Sequence, residues 1–226
     1  MTAAGKAKPT GRVFYAAAAQ ALAGRDVVIA RLVKDGGLPR LPRPRESYFA
    51  ALVRAIVYQQ LAGAAAAAIH GRLVAALNGD VEPQALSALS DATLRSVGLS
   101  ANKAASLRDL ASKVLDETVS LTPRVLARES DEEVSARLTK VRGIGPWTID
   151  MFLMFQLRRL DVWPTGDLGV RRGYALAWHV PTPSARELDP LGDPYRPYRS
   201  VLAWYCWRAE ELYAGVADSA LVRETR

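Results

Sequence analysis

The sequence predicts an all-α protein of two helical lobes. Three observations carry that prediction. Apolar residues recur at helical spacing along nearly the whole chain, and neither sustained period-2 alternation nor a hairpin signal between alternating runs interrupts them. Glycines, prolines and capping residues cut the periodic stretches into about ten helices. Half of the 226 residues are hydrophobic, which suffices for a sizeable core, yet no apolar run reaches the ~18 residues of a membrane span.

The elements follow in order. DVVIARLVKDGG reads as a helix closed by Gly36 and Gly37. LPRPRE is a proline-punctuated linker, and a helix opens near Ser47. AGAAAAAIHGRLVAALNGD has very high helix propensity and stops at Gly79. Its Ile69, Leu73 and Leu77 form a packed stripe, with alanines expected to permit close approach. SDATLRSVG is a short capped helix. SANKAASLRDLASKVLD is a longer one, with Ala104, Leu107, Leu110 and Val114 on one face.

Ser130 and Glu133 make a capping box that opens DEEVSARLTKV. Pro146 suits the first turn of PWTIDMFLMFQL. That helix is apolar on nearly all sides from Met151 to Phe155, so it should be central. A loop then leads to DLGVRRGYALAW. Residues 180–197 hold five prolines and read as an ordered loop with a short turn. YRSVLAWYCWRAEELY is the last helix. The predicted lobes are 1–45 with 156–226, and 46–155.

Lys and Arg total 30 against 23 acids, a net charge of +7 and a pI near 9.7. That surplus suits a polyanionic partner, nucleic acid first. One cysteine, Cys206, excludes an internal disulfide and a four-cysteine cluster. Two histidines, His70 and His179, leave little for a histidine-based metal site. The N-terminal MTAAGKAKPTGR has no apolar stretch of the signal-peptide kind. The expectation is a cytoplasmic, monomeric protein with no membrane contact.

VRGIGPWT, at 141–148, is the densest signal. A helix stops, two glycines flank an isoleucine, and a proline starts the next helix. The reading is a tight helix–hairpin–helix spanning about 138–148. Gly143 and Gly145 allow positive φ and close approach of another backbone. The exposed N–H groups of a helix start bind phosphate without a side chain. Arg142 would add charge and Thr148 a hydroxyl. A plain turn between helices has the same pattern.

LTKVRGIGPWTIDMFLMF and DVWPTGDLGVRRG together resemble the helix-hairpin-helix DNA glycosylases that share a Gly/Pro-rich loop and a catalytic aspartate, and within them the 3-methyladenine DNA glycosylase II branch. AIVYQQLAGAAAAAIHGR, LRSVGLSANKAASLRDLA and YRPYRSVLAWYCWR have family counterparts too, so the resemblance runs from about 45 to 208. It implies a two-lobed helical fold with a DNA-binding cleft between the lobes. It implies removal of alkylated purines, 3-methyladenine above all, from double-stranded DNA. Trp147 stands where lyase-competent relatives carry a lysine, so no lyase chemistry is implied.

The resemblance assigns catalysis to Asp167, which by itself also reads as a helix N-cap. Asp150 and Asp161 are the rival carboxylates. It assigns the base pocket to Trp147 and Trp207, with Met151 and Tyr58 as neighbours. It places the wedge that fills the gap of an extruded base at Gln59, Gln60 and Leu61. Either Gln60 or Leu61 is the inserting residue. Arg171 and Arg172 would hold phosphate near the lesion. No cofactor is implied, although relatives can seat an alkali ion on hairpin carbonyls, here those of Thr139, Val141 and Ile144. The alternatives are a non-catalytic DNA-binding module and a glycosylase for a deaminated base such as hypoxanthine.

Overall fold

The computed structural model describes residues 15–41, 44–61 and 63–224, with side chains as far as residue 214. The helices run α1 Tyr15–Ala23, α2 Val27–Gly36, α3 Tyr48–Tyr58, α4 Gly63–Ala76, α5 Pro83–Ala88, α6 Asp91–Ser96, α7 Ala101–Leu115, α8 Pro123–Leu126, α9 Asp131–Leu138, α10 Pro146–Met151, α11 Leu168–Trp178, α12 Ala185–Leu191 and α13 Arg199–Glu224. Among the described residues there is no strand. None of these helices is long and apolar enough to cross a membrane. The chain divides into two units, 1–42 with 159–226 and 43–158. These divides fall three residues outside the limits read from the linker and the central helix.

Most helix starts obey the capping chemistry written in the sequence. Asp26, Ser47, Ser90, Ser100 and Ser130 each accept a backbone N–H from the first turn of the helix they open. The box at Ser130 and Glu133 closes in both directions. A second box, Ser184 with Glu187, opens α12 inside the proline-rich 180–197 stretch expected to be a loop. Its S-x-x-E pattern was legible, and the prolines at 181 and 183 precede the cap rather than break the helix. Two further expectations change. The central helix widens into a π-turn over Phe152–Gln156, which redistributes its crowded apolar side chains. The alanines at 64, 65, 67 and 68 are exposed and only Ala66 is buried, so they supply helix propensity rather than close packing.

In the unit formed by the chain ends, α13 lies along α11 and α2. Tyr205 is fully buried and donates to the carbonyl of Gly37 at 3.0 Å. Burial pushes its phenol up to about 12. The closest approach is at Gly173, where a Cβ would lie 1.7 Å from the Cys206 carbonyl oxygen. Gly169, Gly173 and Ala177 stand four apart on one face of α11 and open a groove for α13. Cys206 is a core residue whose thiol is pushed up by burial and then by the charge of Asp167. Ser200, also buried, donates to the Arg159 carbonyl (2.8 Å) and accepts from Val162 N–H (3.0 Å), fixing the loop that leads to α11.

In the unit 43–158, α7 supports two loops. Leu107, Leu110 and Ala111 enter the core. Polar residues on α7 reach the turn between α9 and α10. Asp109 accepts the Arg142 backbone N–H at 2.7 Å and the Lys113 ammonium at 2.8 Å. Lys113 also donates to the Lys140 carbonyl. Burial raises the Asp109 carboxyl, but the bonds from Lys113 and Arg142 outweigh it and hold the carboxyl below its ordinary range.

Two consequences are measurable. Gly173→Ala forces α13 away from α11 and should cost roughly 1–3 kcal/mol. Thermal unfolding would then fall by about 2–4 °C per kcal/mol; an unchanged midpoint would refute the close contact. Asp109→Asn should cost on the order of 1 kcal/mol at pH 7. Because the folded-state carboxyl sits below its unfolded value near 3.9, its contribution is complete above about pH 5 and is lost as pH falls through the folded value. Denaturant titrations at pH 7 and pH 3 should therefore show the gap between parent and variant closing; a gap independent of pH rules out the charge as its source.

Candidate functional site

The α9–α10 hairpin is pinned from below by Val141 and Ile144, both buried. Ile144 N–H donates to the Val141 carbonyl at 3.2 Å, which closes the turn. The two glycines differ. Gly143 has φ of 78°, and a Cβ there would lie 2.5 Å from the hydroxyl of Ser106 on α7. Its lack of a side chain is a demand of the fold. Gly145 has φ of −108°, extended backbone open to any residue, and a Cβ there would meet nothing within 4 Å. The expectation of positive φ holds for Gly143 only. The protein itself has no need of glycine at 145. The first helical bond of α10 is Ile149 N–H to the Gly145 carbonyl.

Thr148 does not present its hydroxyl as expected. It is 2% exposed, and its Oγ1 accepts from the Gln59 side-chain amide at 3.1 Å. The same Gln59 amide donates to the Gly143 carbonyl at 2.9 Å. Gln59 is thus engaged inside the protein. Gln60 is exposed with φ of 55°, and Leu61 is exposed beside it. The Arg142 side chain is exposed and reaches the Asn102 side-chain oxygen at 3.2 Å. The helix α7 residues Lys103, Ser106, Asp109 and Lys113 were missed in the sequence. Their signal was polar and charged residues at successive turns of a helix with a buried face.

Trp147 is 42% exposed on α10, so it is not a core aromatic. Met151 follows one turn later on the same face and is half-buried. Tyr58, at the end of α3, is half-buried and edge-on to His70 at 6.1 Å. Three carbonyls, of Thr139, Val141 and Ile144, were expected to suit an alkali ion. They are neutral oxygens, and the Val141 carbonyl already accepts the Ile144 N–H. Among the described residues no three His, Cys, Asp or Glu cluster as metal ligands would.

In the other unit, the loop Trp163–Gly166 turns sharply, with Asp167 N–H bonded to the Pro164 carbonyl at 2.9 Å. Asp167 is half-buried and is the N-cap of α11. Its Oδ1 accepts the Val170 N–H and the Trp207 indole N–H, each at 2.9 Å. The capping role and a directed carboxylate therefore coexist. Trp207 is half-buried on α13 and reaches Asp167 because α13 lies so close to α11. Asp161 is taken up by Arg199 and Arg196 at 2.8 Å each, a structural role. Arg171 is half-buried and turns back toward the Pro183 carbonyl (3.5 Å). Arg172 is the more exposed of the pair and faces Glu210 at 3.8 Å.

Comparison with known proteins bears on this arrangement. The family model of the HhH-GPD superfamily of base excision DNA repair proteins matches residues 53–191. The DNA-3-methyladenine glycosylase 1 of Schizosaccharomyces pombe is 34% identical over 196 residues, 84% of this chain and 86% of its own. The solved structure of an S. pombe 3-methyladenine DNA glycosylase in complex with abasic DNA superposes with a TM-score of 0.79 at 33% identity, over 87% of this chain and 97% of that one. A DNA-3-methyladenine glycosidase from Bacillus halodurans gives a TM-score of 0.79 at 31% identity, over 88% and 91%. The matched span takes in both the glycine turn footed on α7 and the aspartate that caps α11, and this chain belongs to the HhH-GPD superfamily of base excision DNA repair proteins.

Proposed function

We propose that the protein is a monofunctional DNA glycosylase that hydrolyses the N-glycosidic bond of alkylated purines such as 3-methyladenine and leaves an abasic site. It acts as a monomer, in the cytoplasm, on double-stranded DNA. The observation that carries the reading is the Asp167 carboxylate, aimed by two hydrogen bonds on one oxygen, in a chain whose relatives bear the name 3-methyladenine glycosylase.

Breaking the bond from sugar to base builds positive charge on the sugar, as in an oxocarbenium-like transition state. A carboxylate ~4 Å away stabilises that charge by roughly 4 kcal/mol at an effective dielectric near 20. This corresponds to about a thousandfold in rate. The same group orients the attacking water. An alkylated purine is already cationic and leaves without a separate acid. The base must first leave the stack. The exposed indole of Trp147, with Met151 one turn further along the same helix, offers a face that attracts a cationic base by about 1–2 kcal/mol when dry. Gln60 or Leu61 fills the gap it leaves.

The hairpin takes the phosphate backbone, which positions the protein and reads no sequence. Gly145 supplies the room, and Arg142 and the net charge of +7 supply attraction. Arg171 assists only by turning outward from Pro183. An alkali ion on the Thr139, Val141 and Ile144 carbonyls would brace the hairpin, with no chemical step passing through it.

Asp167→Asn keeps an N-cap and an acceptor for both bonds but removes the charge. Release of labelled bases from methylated duplex should fall by about a thousandfold, with duplex affinity within a few-fold of the parent. Excision by the Asn variant at the parent rate would sink the assignment. Gly145→Ala should leave thermal stability unchanged or slightly raised, because a Cβ meets only open space. It should weaken duplex binding by about tenfold, since the methyl group stands where a phosphate approaches. Equal affinity in a filter-binding titration would show that no phosphate comes there.

A further inference from the structure

We propose that Gln59 is a positioning residue that makes the insertion loop and the phosphate-gripping hairpin a single mechanical piece. The proposal rests on the DNA-binding reading above, in which Gly145 faces phosphate and the gap is filled by Gln60 or Leu61, and it takes Gln60 as the inserting residue.

Both loops stand on α7. Lys103 donates its ammonium to the carbonyls of Val57 (2.6 Å) and Gln59 (2.8 Å), so it holds the last turn of α3 and the start of the insertion loop. One turn further on, Ser106 fills the space that a side chain at 143 would need. Asp109, on the next turn, takes the Arg142 N–H. The footing is therefore common, but a common footing does not fix the spacing between two loop tips. Gln59 does. Its amide nitrogen carries two hydrogens and meets two acceptors, the Gly143 carbonyl in the hairpin and the Thr148 hydroxyl in α10.

Gln59 and Gln60 are adjacent, and Gln60 has φ of 55°. That conformation is uncommon for a residue with a side chain and persists where its surroundings fix it. The backbone at 59 is clamped by Lys103 and its side chain by the hairpin. Hence the attitude of Gln60 is referred to the Gly143 carbonyl and the Thr148 hydroxyl, which lie on either side, along the chain, of the Gly145 backbone that faces phosphate. A hairpin that seats on DNA pushes the insertion residue forward with it, and gap filling reports back on grip.

The test is a double-mutant cycle on binding alone. Dissociation constants are measured for a duplex carrying a stable abasic-site analogue, with 2-aminopurine opposite it as a fluorescent reporter of the gap. Gln60→Ala, Gly145→Ala and the double variant are compared in the parent and in a Gln59→Met background. In the parent the two effects should depart from simple multiplication by at least about threefold, and in Gln59→Met they should multiply within about twofold. The 2-aminopurine signal should lose its dependence on Gly145 in Gln59→Met.

Multiplication in the parent overturns the proposal. So does an equal departure in both backgrounds, or a Gln60→Ala variant with parent affinity and fluorescence. Should Gln59→Met fail to fold, Thr148→Val keeps the buried shape and removes one acceptor; the coupling should weaken, and full coupling there counts against the role of Gln59. Failure of the glycosylase reading is seen elsewhere, as absence of base release by the parent protein, because no outcome of this cycle depends on chemistry.

Discussion

Gly173 has no side chain, and the backbone of α13 occupies the place where one would be. The geometry around Asp167 depends on that contact. With the Cys206 carbonyl so close, Trp207 one residue later is carried to the first turn of α11. There its indole N–H can reach the carboxylate that caps the same turn. A helix pair at ordinary separation, 8–10 Å between axes with side chains at the contact, would leave that indole short of Asp167. The small residues of α11 are therefore part of what brings the Trp207 indole to the Asp167 carboxylate.

The second unit solves a different problem, which is to hold two exposed loops steady without covering them. It uses one helix as a base and charge as the fastener. Asp109 lies against Lys113 and the Arg142 N–H, and the burial that would raise its carboxyl is overcome by those partners. The loop faces that point outward stay free of large side chains at Gly145 and polar at Gln60. The result is a rigid frame beneath loop tips that it leaves uncovered.

Much of this was legible in the residues. Capping boxes, a proline at the first position of α10 and helical apolar spacing are local signals, set by bonds within four residues, and they placed most helices correctly. Asp167 as an N-cap was readable for the same reason. The readings that changed were those needing a partner far along the chain. Thr148 looked like an outward hydroxyl until Gln59, 89 residues earlier, was seen to occupy it. Gly145 looked equivalent to Gly143 until the space around each was known. Arg171 and Arg172 looked alike until the Pro183 loop took one of them. The alanines of α4 advertised packing, but alanine favours a helix whether or not it is buried.

The sequence by itself determined the all-α class, the order of most helices, the hairpin and the N-cap at Asp167. Each of these depends on neighbours a few residues apart or on a charge total. Only the tertiary structure decided that the Trp207 indole joins the Val170 N–H on Oδ1 of Asp167. It also decided that α7 carries both the loop at Gln59–Leu61 and the hairpin, and that one glycine of the hairpin serves the fold while the other leaves space. Those facts depend on side chains brought together from distant parts of the chain, and helical periodicity records which face is buried but not what it is buried against.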